Sequence, residues 1–127
     1  MARFDWNPRR LFWRRGAVAL TLAWLGSAAL AHEPVARCFW MDAQTVRCRG
    51  VTNDGDRMPG ARMDVMAFNG QSLRQGQLSA DSTWTFPKPQ QPFYVLFEIG
   101  PGLQTTVEED EIRAPSAREQ GWAWLRP

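Results

Sequence analysis

Few side chains in this 127-residue chain have the chemistry to bind a metal or attack a substrate. His32 is the only histidine, Lys88 the only lysine, and Cys38 and Cys48 the only cysteines. If the chain is cut after Ala31, His32 becomes the first residue, and its α-amine and imidazole Nδ1 can chelate copper or nickel together. Both nitrogens must be deprotonated, which favours binding near or above neutral pH. A brace of two histidines is impossible, so further ligands must come from carboxylates such as Glu33, from a methionine, or from a partner protein. The plainer alternative is that His32 merely follows the cleavage site in a frayed terminus.

The remaining reactive residues are better explained structurally. Cys38 and Cys48 lack the C-x-x-C spacing and the extra cysteines of a redox or metal pair, which points to a disulfide. Glu108-Glu109-Asp110-Glu111 lacks the alternating ligands and glycine of a calcium loop and reads as a solvated strand end. Asp54 and Asp56 read as turn formers. Of Met41, Met58, Met63 and Met66, most read as packing, with Met58 taken as exposed and least explained. No nucleophile elbow, phosphate-cradling glycine loop or second histidine accompanies them. A non-enzyme is expected.

The first 31 residues read as a cleaved export signal. Arg3, Arg9, Arg10, Arg14 and Arg15 form a basic start, Gly16 to Leu25 a short apolar stretch, and Ala29-Leu30-Ala31 a small-residue cleavage site. The apolar run is short for a hydrocarbon core of about 30 Å, so no transmembrane segment is expected after cleavage. Arg9-Arg10-Leu11-Phe12-Trp13-Arg14 resembles a twin-arginine signal, with Pro8 where that pattern has Ser or Thr; a secretory or a twin-arginine route both remain open. The absence of a lipid-attachment cysteine makes the periplasm the expected location. The full chain has 15 basic and 13 acidic residues. The leader removes five Arg and one Asp, leaving 10 basic against 12 acidic. No polybasic stripe remains, which excludes nucleic acid as a partner.

The mature part must therefore position its few special residues on short strands. Cys38 and Cys48 are symmetric about Ala43, so a hairpin of Ala36–Trp40 with Thr45–Arg49 sets them opposite each other. Ala36, Cys38, Trp40, Val46 and Cys48 then share the inner face, and Arg37, Arg47, Arg49 and the apolar exception Phe39 the outer one. Asn69-Gly70 implies a second hairpin with a three-residue loop, Gly70 left-handed, pairing Val65 with Leu73 and Asp64 with Arg74. The returning strand contains Gly76 and should lie at an edge or carry a bulge. Thr83–Phe86, the apolar run Phe93–Ile99, and Leu103–Glu108 complete seven strands, the pattern of an all-β antiparallel sandwich. Ser116-Ala117-Arg118-Glu119 fits a capping box for a short C-terminal helical turn. Trp122 and Trp124 then either cover an open end of the sandwich or form a patch that binds a partner. The expected organisation is a leader over 1–31, a sandwich over 32–112 and a tail over 113–127.

Arg49-Gly50-Val51-Thr52, Asn53-Asp54-Gly55, Pro59-Gly60-Ala61-Arg62-Met63, Asn69-Gly70-Gln71 and Ala80-Asp81-Ser82-Thr83-Trp84-Thr85-Phe86 follow a recognisable order. From Arg49 to Val107 the chain resembles the carboxypeptidase regulatory-like, or transthyretin-like, β-sandwich family. Glu98-Ile99-Gly100-Pro101-Gly102 resembles a segment of small exported proteins that accompany nickel or cobalt transporters. In those relatives a histidine commonly follows the Gly-Pro-Gly turn; here Leu103 stands at that position. The resemblance implies an exported accessory module handling a divalent transition metal (nickel, cobalt or copper), with a membrane transporter component or other envelope protein as partner and no cofactor required. The alternative is an interaction or structural module working through a sheet edge or Trp122 and Trp124; a glycan-binding surface of exposed tryptophans is a third reading.

Overall fold

Alternating burial along the chain sorts it into strands with one face inward. In a computed structural model describing residues 32–126, these are β1 (Pro34–Asp42), β2 (Thr45–Thr52), β3 (Arg62–Ala67), β4 (Ser72–Gln77), β5 (Thr83–Pro87), β6 (Phe93–Gly100) and β7 (Leu103–Glu108). The leader expected over 1–31, with its cleavage site, lies outside the described residues. The strands form two antiparallel sheets, ordered β1-β2-β5 and β4-β3-β6-β7. No helix among the described residues is long and apolar enough to cross a membrane.

The core is the slab between the sheets. Val46, Cys48 and Phe86 from one sheet meet Met63, Val65, Phe93, Val95 and Phe97 from the other, all at most 1% exposed. Burying each of the larger side chains stabilises the fold by about 1.5–3 kcal/mol. Cys38 and Cys48 are directly opposite, as their symmetry predicts, and are disulfide-bonded.

Two glycines let aromatic rings cross between sheets. A Cβ at Gly50 would stand 2.7 Å from the Phe97 ring, and one at Gly76 only 2.1 Å from the Trp84 indole. Gly76→Ala is therefore expected to destabilise the protein by about 1–3 kcal/mol through overpacking. Thermal unfolding checks this, and an unchanged melting temperature would mean that Trp84 yields at no cost.

The second hairpin differs from its expected register. The three-residue loop is present: Ala67 N–H donates to Gln71 O at 2.8 Å, and Gly70 has φ 86°. Met66 then pairs with Ser72, but a bulge follows, so Val65 faces Arg74 and Asp64 faces Gln75. The bulge absorbs Leu73 on the returning strand, which sequence alternation alone does not reveal. β4 is both an edge strand and a bulged one, as expected of the strand that contains Gly76; only the bulge's position is unexpected.

The tail also departs from expectation. After a 3₁₀ turn at Glu109–Glu111, the chain runs beside β1, with Trp40 N–H donating to Arg113 O at 3.0 Å. Ser116 and Glu119 exchange hydrogen bonds reciprocally: Ser116 N–H to Glu119 Oε1 at 2.9 Å, and Glu119 N–H to Ser116 Oγ at 3.2 Å. The turns that follow, Glu119–Gly121 and Ala123–Leu125, are 3₁₀. They cover the outer face of the three-stranded sheet, not an end of the sandwich. The cause is Phe39, which points outward yet is 3% exposed because Trp122 and Trp124 lie 6.1 and 5.7 Å from its ring.

Charge fastens this cover. Arg113 grips Glu119 with two parallel hydrogen bonds of 2.6 and 2.8 Å. The Arg113 guanidinium, helped by the Ser116 amide, holds the Glu119 carboxyl at about 2 against an ordinary 4.5. A carboxyl depressed by folding contributes stability above its unfolded value and loses it as pH falls through the folded one. The tail's attachment should accordingly be intact above pH 4.5 and weaken between about 4.5 and 2. Tryptophan fluorescence should report that acid transition, and Arg113→Ala should move it to higher pH; a transition indifferent to Arg113 would refute the clamp.

Candidate functional site

The β1–β2 ladder positions the one histidine. From Cys38↔Cys48 the pairs step outward through Ala36↔Gly50 to Pro34↔Thr52. Pairing continues one residue further, with Asn53 N–H donating to Glu33 O at 2.8 Å and Glu33 N–H to Asn53 Oδ1 at 3.1 Å. The next step sets His32 against Asp54, with Nδ1 3.5 Å from Oδ2.

The turn after β2 frees two carboxylates for this group. Gly55, at φ 85°, donates to Thr52 O at 2.9 Å, while Asp56 N–H donates to the Thr52 side chain at 3.1 Å. Thr52 thus supplies the side-chain oxygen that stabilises the turn, while Asn53 Oδ1 closes the ladder at Glu33. Asp54 and Asp56, expected to be turn formers, leave their carboxylates unused by the turn's backbone amides among the described hydrogen bonds. Ligand atoms of His32, Asp54 and Asp56 all lie within 4.8 Å of one another. Donors around a transition metal at roughly 2.0–2.2 Å stand about 3–4 Å apart, so small rotations of these exposed side chains suffice to close the set. One imidazole with two carboxylates is a mixed N/O set, suited to borderline divalent ions.

Glu33, the carboxylate expected to assist His32, is not in this group; it is tied to Asn53 through its backbone. The disulfide residues Cys38 and Cys48 are buried at 4% and 0%. Met58, expected to be exposed, is half-buried: it packs against the core, and its N–H donates to Ser82 Oγ at 2.6 Å. A hollow of about 630 Å³ beside the histidine is lined by His32, Asp56, Arg57, Met58, Ile99 and Leu103. The residue after the Gly-Pro-Gly turn and the single histidine therefore share one recess.

Trp122 and Trp124 are half-buried, and the carbonyl of Trp124 accepts from Arg47 Nε at 2.6 Å. Arg47 also donates to Thr85 Oγ1 at 2.8 Å and faces Asp81 at 3.5 Å. Hydrogen bonds from Ser79 and Thr83 hold the Asp81 carboxyl below its usual range, so it stays charged opposite Arg47. The acidic run closes β7, with Glu108 N–H donating to Glu111 at 3.4 Å.

What sequence reading missed was the pairing of His32 with Asp54 and Asp56. The signal was available: the symmetry that opposes Cys38 to Cys48 also opposes His32 to Asp54 if carried six residues outward.

Comparison with known proteins finds no matching family, no matching curated protein and no matching solved structure. The disulfide is consistent with an oxidising, exported location.

Proposed function

We propose that this is an exported, non-catalytic accessory module of transthyretin-like fold that handles a divalent transition metal at its N-terminal edge. The observation that carries the proposal is the convergence of His32, Asp54 and Asp56 within 4.8 Å. Processing after Ala31 adds the α-amine of His32 as a fourth donor, converting one imidazole into a chelate. Where the resembled nickel and cobalt accessory proteins commonly carry a histidine, this chain has Leu103, so that ligand is missing and the recess takes its imidazole from His32 instead. The imidazole then reaches the site from the terminus.

The site is open to solvent, with the His32 and Asp54 side chains 58% and 57% exposed. An open site suits transfer of an ion to a membrane transporter component better than permanent storage, because a closed ligand shell exchanges slowly. Isothermal titration of the exported protein, its N-terminus established by mass spectrometry, with Ni(II), Co(II) and Cu(II) is the deciding experiment. Saturable binding of one ion per chain is expected; no heat with any of the three would end the proposal.

A further inference from the structure

On the outer face of the three-stranded sheet, Arg37 and Arg49 are direct cross-strand partners. Like charges directly opposite on one sheet face repel and weaken the pairing. Three other arginines are paired with carboxylates: Arg47 with Asp81, Arg62 with Asp64 and Arg113 with Glu119. Arg37 and Arg49 form no ion pair among the described residues. Moreover, Arg49 Nε is buried and has no hydrogen-bond partner. A buried guanidinium N–H left open disfavours folding, so packing alone does not account for this pair.

The pair lies in a preformed recess. Arg37 and Arg49 line it with the next cross-strand pair, Val35 and Val51, while Trp122 and Trp124 form its wall, enclosing about 430 Å³. That volume falls within the roughly 300–1,000 Å³ of small-molecule sites. The wall is held from three directions, by Phe39 beneath it, by Arg47 on the Trp124 carbonyl, and by the Arg113–Glu119 clamp.

We infer that this recess binds a small carboxylate with a flat apolar body. The carboxylate sits between the two guanidiniums, whose planar forks match its geometry, and accepts from their terminal N–H groups. The indoles and valines cover the body. A nucleic acid is disfavoured because a single arginine pair is no phosphate-tracking stripe. A bare oxyanion leaves the tryptophan wall without a role. The site is separate from the metal group, shares no residue with it, and stands or falls independently of it.

Titration calorimetry of the exported protein tests this with 4-phenylbutyrate, its uncharged amide, and galacturonate. The acid is expected to bind, and the amide and the sugar acid to bind at least about tenfold more weakly, as loss of a charge-assisted hydrogen bond or of apolar contact implies. Arg37→Gln and Arg49→Gln should each weaken the acid by about tenfold or more. Both ligand-free variants should melt no lower than the parent, because repulsion is relieved. A merely structural pair would show the opposite: lowered melting with binding unchanged. Equal affinity for acid and amide, equal or tighter binding of galacturonate, or no heat with any probe overturns the inference.

Discussion

Replacing His32 with alanine is expected to weaken Ni(II), Co(II) and Cu(II) binding by about a hundredfold or more, roughly 2.7 kcal/mol. The substitution removes the imidazole that faces Asp54 and Asp56, leaving two carboxylates and an amine whose chelate ring is gone. Asp54→Asn and Asp56→Asn should each cost about tenfold, because a neutral amide oxygen is a poorer donor than a carboxylate. Affinity should fall as the solution is acidified, since protons compete with the metal for the amine and imidazole nitrogens. Leu103→His in the His32→Ala background supplies an imidazole from elsewhere in the lining of the same hollow and should restore part of the loss. Titration of all four variants, with circular dichroism as a fold check, separates ligation from structure. Undiminished binding in His32→Ala would falsify the metal site.

Breaking the cross-link is the other change with a large expected effect. The disulfide joins residues ten apart in sequence on paired strands, and both are buried. By chain-entropy reasoning, closing so short a loop restricts the unfolded chain by roughly 2–3 kcal/mol. The described residues, 32–126, form a domain of under 100 residues, a size whose total stability is modest. Cys38→Ala with Cys48→Ala should thus lower the melting temperature by about 10–20 °C, taking about 4–8 °C per kcal/mol for a domain of this size. The comparison is best made with the double variant, which leaves no free thiol to cross-link chains. Melting within a few degrees of the parent would show that the hydrogen-bonded ladder alone restrains β1 and β2.

The sequence carried the seven strands and the Cys38–Cys48 pairing openly, because a period of two in side-chain polarity survives wherever one strand face is buried. The loop Phe68-Asn69-Gly70 was legible for the same local reason, a glycine at a left-handed position. An edge or bulged returning strand was legible from Gly76, but the position of the bulge at Leu73, and with it the register, was not, since no residue type marks where the ladder slips. Nor was the place of the tail, which depends on Phe39 needing cover and on Arg47 and Arg113 reaching residues 77 and 6 positions away.

From residue order alone came the all-β sandwich, the cross-strand disulfide and the singling out of His32, each a matter of local alternation or of residue type. The folded structure decided the company His32 keeps, the face the tryptophans cover, and the placing of an unneutralised arginine pair beside them. These are meetings of residues distant in the chain. Their partners are chosen by strand register and by the packing of one sheet on the other, quantities that no short window of sequence contains.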